Sequence, residues 1–208
     1  MGLDASYQAL PGGSPLLALA RANAGVGGWM ISVTRLLKDP REESLAPGGP
    51  DADELVLLEA VRDILRTRPD LATQQVELHR RWDHLHFVLS ARRRDGLGMD
   101  DNDDSLAGIA IQGEAGIARH VVAPQGVPLR YTRPETVERI ARMLEAVRFD
   151  SLREHFTVER MRQAGVYKCP HEDGLEEAWQ WLRERFDLFR AFYVTAAKHG
   201  DGVLVRVD

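Results

Sequence analysis

The residues best suited to chemistry stand in one run, residues 77–90, which reads E-L-H-R-R-W-D-H-L-H-F-V-L-S. In an α-helix Trp82 and His86 are four residues apart and therefore share one face. His86 could then act as a general base, with Asp83 orienting its imidazole and with Trp82 and either His79 or Tyr131 lining a cleft. This enzyme hypothesis requires His86 to be accessible to solvent in a concave pocket.

The same run allows two other interpretations. If it were a strand, His84 and His86 would share a face and could bind a metal ion, whereas on a helix they point nearly opposite ways. Leu85 and Leu89 favour the helix, and no Gly or Pro interrupts the run before Gly96. Because we favour the helix, we expect no metal site, and metal binding through His84 and His86 ranks third among the hypotheses. No cofactor is expected. A histidine in such a place is more often a hydrogen-bonded core residue, because buried polar groups are usually paired for stability alone.

The overall composition narrows the class of protein. The chain has 208 residues, 44% hydrophobic and 28% charged, which is ordinary for one globular domain. The net charge of -5 argues against a nucleic-acid binder, which usually needs a basic face. Cys169 is the single cysteine, so no intrachain disulfide can form and a reducing compartment is expected. We found no signal peptide and no membrane segment, so the expected location is the cytoplasm, and the oligomeric state stays open.

Capping pairs and apolar spacing predict most of the helices. Asp51 and Glu54 have the spacing of a capping box at the start of one helix. The pairs Thr132 with Glu135 and Asp173 with Glu176 predict two further starts. The last of these opens the longest helix, which ends at Gly200. Residues 16–24 predict a short helix that the glycine-rich residues 25–28 bring to an end.

Short apolar runs bounded by turn residues predict the strands. These runs are residues 5–10, 106–112, 117–122 and 203–207. The unbroken apolar character of the last run favours pairing inside a sheet. The acidic residues around 95–104 do not match the EF-hand spacing, so a solvated loop is expected there.

Two motifs and the order of elements resemble one known family. The motifs are residues 81–90, R-W-D-H-L-H-F-V-L-S, and residues 129–137, L-R-Y-T-R-P-E-T-V. They are followed by G-V-Y at 165–167, the long helix and the terminal strand. Residues 51–208 thereby resemble the YfbM-like family of bacterial proteins of unassigned function. The glycine-rich stretch 12–28 departs from the family pattern, which leaves the layout of residues 1–50 open.

The resemblance implies a compact α+β domain in the cytoplasm, and it supplies no catalytic residue. We therefore expect residues 1–208 to form a single domain, mainly helical, with a small mixed β-sheet that includes the C-terminal strand. No Ser-His-Asp set, phosphate-binding loop or paired-carboxylate motif can be recognised in the sequence. The first functional hypothesis is thus a non-catalytic module that binds another protein, with no nucleic acid or membrane as partner; a small enzyme using His86 is the alternative.

Overall fold

The computed structural model describes residues 3–41, 51–90, 104–124 and 126–207. The expected acidic loop lies almost wholly outside the described residues. The helices are α1 (Pro15–Ala22), α2 (Ala24–Trp29), α3 (Val33–Lys38), α4 (Ala52–Thr67), α5 (Trp82–Ser90), α6 (Leu106–Gln112), α7 (Pro134–Ala146), α8 (Val158–Gln163) and α9 (Leu175–His199). The strands are β1 (Ala5–Pro11), β2 (Gln75–His79), β3 (Ala115–Gly116), β4 (Arg130–Thr132) and β5 (Asp201–Val207). Helices dominate this single α+β domain, as predicted.

The strands form one sheet in the order β2-β1-β5-β4-β3. The C-terminal strand β5 lies inside the sheet between β1 and β4, which confirms the prediction from its apolar run. A mixed sheet was expected, whereas every observed pairing is antiparallel. Apolar patterning indicates where strands lie, but the intervening helices set the direction in which each strand runs.

Helices cover both faces of the sheet. On one face the Tyr7 ring packs edge-on against Phe189 of α9, with ring centroids 5.0 Å apart. The opposite face meets the N-terminal helices, since Arg206 donates a hydrogen bond to the carbonyl oxygen of Ile31 at 3.1 Å. Because successive strand residues point to alternate faces, each sheet residue can be assigned to one of these two layers.

The prediction that residues 81–90 are helical is confirmed, since α5 spans nearly all of them. Trp82 and His86 both point into the core, with 1% and 2% of their surface exposed. Asp83, His84 and Leu85 are buried as well. The helix is thus enclosed on all sides near its start, because it packs against α6, α9 and the 3-10 segment that precedes α8.

The prediction of strands at 106–112 and 117–122 is wrong. Residues 106–112 form α6, whose first turn is capped by Ser105 Oγ accepting from the Gly108 amide at 3.1 Å. A short apolar run fits a buried helix as well as a buried strand, and in the folded chain Ser105 caps the helix. Residues 117–122 contribute only an isolated bridge, between Val122 and Pro128.

The glycine run was expected to end a helix, but it lies within α2. The Asn23 side chain begins this helix by accepting hydrogen bonds from the amides of Gly25 and Val26. A Cβ at Gly27 would lie 2.7 Å from the His120 ring and 2.9 Å from the Ala20 carbonyl oxygen. Glycine is therefore required here for close approach, which outweighs its low helix propensity.

The capping predictions had mixed outcomes. Asp51 accepts a hydrogen bond from the Glu54 amide at 2.7 Å, which confirms the start of α4. Thr132 does not cap α7, because it lies in β4 and the helix begins at Pro134. Asp173 does not cap α9, since a 3-10 turn precedes that helix and Gly174 occupies its N-cap.

Candidate functional site

Trp82, the first of the predicted site residues, anchors α5 to the beginning of the sheet. Its indole Nε1 donates a hydrogen bond to the Leu3 carbonyl oxygen at 3.2 Å. The Leu3 amide in turn donates to the Tyr167 hydroxyl at 3.2 Å. Trp82 therefore joins three parts of the chain in the core.

Asp83 and His86 lie together, but deep inside the protein. His86 Nδ1 is 3.8 Å from Asp83 Oδ1, and the two side chains are 2% and 1% exposed. Asp83 Oδ2 accepts a hydrogen bond from the Tyr167 amide at 2.8 Å, which ties α5 to the turn after α8. A general base must come within hydrogen-bond reach of its substrate. The access that the enzyme hypothesis requires for His86 is not provided by the described structure.

Tyr131 lies on the opposite face of the sheet from the α5 residues. Tyr131 pairs with Leu204, whereas Tyr7 pairs with the next residue, Val205, and contacts α9. Leu204 and Val205 point to opposite faces, so the sheet separates Tyr131 from His86. Burial, assisted by the nearby Asp201 carboxylate, raises the pKa of Tyr131 to about 12. The structure thus brings together three of the four predicted site residues and leaves the fourth apart.

His84 shows no sign of sharing a metal ion with His86. Both residues lie on α5 two positions apart, so their side chains diverge by about 200° around the helix. Burial, followed by the positive charge of Arg81, lowers the pKa of His84 to about 4. Across residues 3–41, 51–90, 104–124 and 126–207, no group of three or more His, Cys, Asp or Glu side chains could hold a metal ion.

A groove of about 400 Å³ lies elsewhere, between the edge strand β2 and helix α9. It is lined by Thr73, Gln74, Gln75, Val76, Glu77, His79, Arg185, Leu188, Ala191, Phe192 and Thr195. On the helix side, Arg185, Leu188, Phe192 and Thr195 recur at helical spacing and form one stripe. We call this the edge groove.

Leu188 is the most distinctive residue of the edge groove. Leu188 is 52% exposed, more than any other large hydrophobic residue in the described parts of the chain. Phe192, one helical turn further along α9, is only 6% exposed. Single exposed apolar residues are common on protein surfaces. Here the exposed leucine stands within a groove and above a buried aromatic ring, which makes an apolar contact surface.

The strand side of the edge groove offers hydrogen bonds. Strand β2 pairs with β1 through residues 75–79, and it ends the order of the described sheet. An edge strand presents unpaired N–H and C=O groups along its free side. Its five residues span about 15 Å, which matches about 15 Å from Arg185 to Thr195 along α9.

One end of the edge groove is cationic. The guanidinium of Arg185 lies 5.3 Å from the centre of the Trp181 ring, and that of Arg81 lies 5.2 Å from the same ring. Trp181 precedes Arg185 by one helical turn, so the stripe on α9 continues into this stack. His79 lies at the same end, since it is the last residue of β2 and also lines the groove.

Apart from His79, none of the residues predicted for a catalytic cleft lies in the edge groove, although two signals in the sequence point to it. Residues 76–78, V-E-L, alternate between apolar and polar, which is the period of a half-buried strand. Leu188 stands outside the buried stripe of α9. An apolar residue off the buried face of a long helix indicates a contact surface more directly than the buried histidines do.

Comparison with known proteins identifies the family. A family model described as a domain of unknown function, DUF1877, matches residues 36–206. The chain belongs to the DUF1877 family. The match includes both sides of the edge groove, β2 and α9, as well as α5.

The solved structures include a relative with the same fold. The DUF1877 chain aligns with YfbM from Escherichia coli, a protein of unknown function, at a TM-score of 0.56 and 14% identity over 99% of each chain. This likeness confirms the resemblance to the YfbM-like family, and at such low identity it shows the shared fold alone. A search of curated proteins found no match. Among the helices described for this DUF1877 member, none has the length and apolar character needed to cross a membrane.

Proposed function

We propose that this protein is a non-catalytic interaction module of the cytoplasm that binds an extended segment of another protein along β2, as an added strand. The observation that carries this proposal is the exposed Leu188 beside the free edge of β2. The lone Cys169 supports a reducing compartment. Strand addition is an established mode of peptide recognition in which main-chain hydrogen bonds provide affinity and side-chain pockets provide specificity.

The first contribution to binding comes from the backbone of β2. In an antiparallel ladder, alternate residues exchange pairs of hydrogen bonds with each neighbouring strand. Five residues of an ideal edge strand leave groups for about four hydrogen bonds on the free side, and about three remain here because the Gln75 amide already donates to the Thr73 carbonyl oxygen at 2.9 Å. Each of these contributes about 1 kcal/mol net, since the same groups are hydrated before binding.

The second contribution comes from the apolar surface of α9. Covering the exposed half of Leu188 contributes about 1 kcal/mol, by the area that it removes from water. Phe192 and Ala191 extend this surface along the groove. An extended peptide directs alternate side chains to one face, so one or two apolar side chains of the segment would rest on this surface.

The charge on β2 favours a different chain over a second copy of this one. Glu77 is the middle residue of β2 and is exposed. A twofold pairing of two copies centred on this residue would place the two Glu77 carboxylates opposite each other. Like charges directly opposite are destabilising in a sheet. The segment is therefore expected to come from another protein.

The experiment selects ten-residue peptides from a random display library with the full-length protein and measures their affinity by fluorescence anisotropy. The variant Leu188→Asp should weaken binding tenfold or more, because a carboxylate would replace the apolar contact. The matched control is Val56→Asp, which places the same charge at an apolar residue 44% exposed on α4. This control should bind the peptides as the unmodified protein does.

A second measurement tests the strand geometry. Peptides methylated on the backbone nitrogen at alternate positions should lose binding in one register and retain it in the other, since only one set of N–H groups faces β2. The proposal is wrong if no selected peptide depends on Leu188. It is also wrong if backbone methylation has the same effect at every position.

A further inference from the structure

Among the described residues, some arginines form an ion pair with a carboxylate and others do not. Several exposed arginines have an acidic partner within 4 Å, as Arg66 has Asp63 and Arg142 has Glu138. Arg81 and Arg185 have none within the described parts of the chain, although both lie against the same Trp181 ring. Neither of these two positive charges therefore has a carboxylate counter-charge within 4 Å among the described residues.

The packing around Arg81 shows that this positive charge is unbalanced. Its Nη1 atom is buried and has no hydrogen-bond partner among the described residues. A buried guanidinium nitrogen without an acceptor is costly, because its hydration is lost and nothing replaces it. Arg81 also acts on its neighbour His84, whose pKa its charge helps to lower.

Arg185 lies where its charge can contact a segment bound in the edge groove. Arg185 lines the groove at the end where β2 finishes with His79. The opposite end is lined by the neutral side chains of Thr73, Gln74 and Thr195. A strand added to β2 would therefore meet Arg185 at one end only, where the Glu77 carboxylate faces His79, with 3.9 Å between Oε2 and Nε2, and not Arg185.

We infer that the segment bound along β2 carries a carboxylate side chain, Asp or Glu, at the end that lies beside His79, where it pairs with Arg185, while the charge of Arg81 against the same Trp181 ring adds to the positive potential. This inference rests on the proposed function, because it needs a strand in the edge groove. Guanidinium groups already stacked on an aromatic ring are ordered before binding, so less side-chain entropy is lost when the carboxylate arrives. If the acidic residue precedes the peptide residues that pair with β2, the peptide runs antiparallel to β2. If it follows them, the peptide runs parallel to β2.

The test uses the peptides selected above, with each acidic residue changed in turn to its amide. One Glu→Gln or Asp→Asn change should weaken binding to the full-length protein about fivefold at 50 mM NaCl. The Arg185→Gln variant should show the same loss with the acidic peptide and no further loss with the amide peptide. The control is Arg119→Gln, which removes an exposed arginine that does not line the edge groove.

A charge reversal makes the test stricter. Arg185→Glu should lose the acidic peptide and gain affinity for a peptide with Lys at the same position. Raising NaCl to 500 mM should reduce the difference between the acidic and amide peptides, since salt screens partly exposed charges.

The outcomes separate this inference from the proposed function. If binding depends on Leu188 but the amide peptides bind as well as the acidic ones, strand addition is supported and the inferred pairing of a carboxylate with Arg185 is wrong. If no peptide binding depends on Leu188, both are wrong. A requirement for the acid that Arg185→Gln does not alter also overturns the inference, since the carboxylate would then lie elsewhere.

Discussion

Protonation of His84 should destabilise the folded protein in mildly acidic solution. The His84 side chain is 1% exposed and packs against Phe156, with ring centroids 6.2 Å apart. Its Nδ1 atom is buried and has no hydrogen-bond partner among the described residues. Burial is the main reason that the pKa of His84 falls to about 4, and the charge of Arg81 adds to it. The imidazole is therefore neutral in the folded state at pH 5.

The magnitude follows from the difference between the folded and unfolded states. An unfolded histidine takes up its proton near pH 6.5, whereas folded His84 does so only near pH 4. Between these values the unfolded state binds more protons, so the free energy of unfolding decreases as the pH falls. The decrease is about 1.4 kcal/mol per pH unit and reaches about 3 kcal/mol at pH 4. Above pH 6.5 His84 should have no effect on the pH dependence.

The assay is urea unfolding between pH 7.5 and pH 4.5, with His84→Gln as the comparison because glutamine does not titrate there. The variant can be less stable at every pH, but its stability should fall less steeply below pH 6.5 than that of the unmodified protein. Titration of all other groups is common to both proteins and cancels in the difference. Parallel curves, or an NMR titration of the His84 ring near pH 6.5, would refute the reasoning.

Two further substitutions test the packing of the core, one within the sheet and one between helices α9 and α6. Gly202→Ala would place a Cβ 1.9 Å from the Tyr131 hydroxyl oxygen, so β4 must shift; we expect a loss of about 1–3 kcal/mol in urea unfolding. Gly28→Ala, whose Cβ meets nothing within 4 Å, should cause no loss, and equal effects would contradict this interpretation. Tyr193→Phe removes a buried hydroxyl that donates to the Ala110 carbonyl oxygen at 2.8 Å, and should cost about 1–3 kcal/mol. An unchanged unfolding midpoint would show that this bond is not stabilising.

Local sequence patterns were sufficient to predict those helices and strands whose structure is determined by one short stretch of the chain. The helical spacing of residues 81–90 predicted α5, and the Asp51 cap predicted the start of α4. The unbroken apolar run after Gly200 predicted that β5 lies inside the sheet. In each case the decisive pattern lies within ten residues, so the rest of the chain was not needed.

Long-range contacts decided the cases where prediction failed. The apolar run of α6 fits either a helix or a strand, and its last carbonyls are bound by the hydroxyls of Tyr193 and Tyr7. Glycine occurs within α2 because a neighbouring ring, that of His120, comes too close to Gly27 for any side chain there. Neither partner is adjacent in sequence, so neither could be inferred from spacing.

The same distinction applies to the candidate site. The spacing of Trp82 and His86 predicted correctly that they share a buried face, but it did not show whether a cavity meets that face. The edge groove depends on β2 and α9 lying side by side, about 110 residues apart in sequence. Only the tertiary structure brings Val76 and Leu188 to one surface.

The central position of β5 has a consequence for the way in which the chain folds during synthesis. Strand β1 pairs with β5 along all seven of its residues, yet Asp201 follows Pro11 by 190 residues. At ribosomal rates of about 5–20 residues per second, β5 is synthesised on the order of 10–40 s after β1. Until then the pair of β1 with β2 and the pair of β4 with β3 are separate fragments with exposed edges. The nascent chain is therefore most in need of chaperones just before β5 leaves the ribosome.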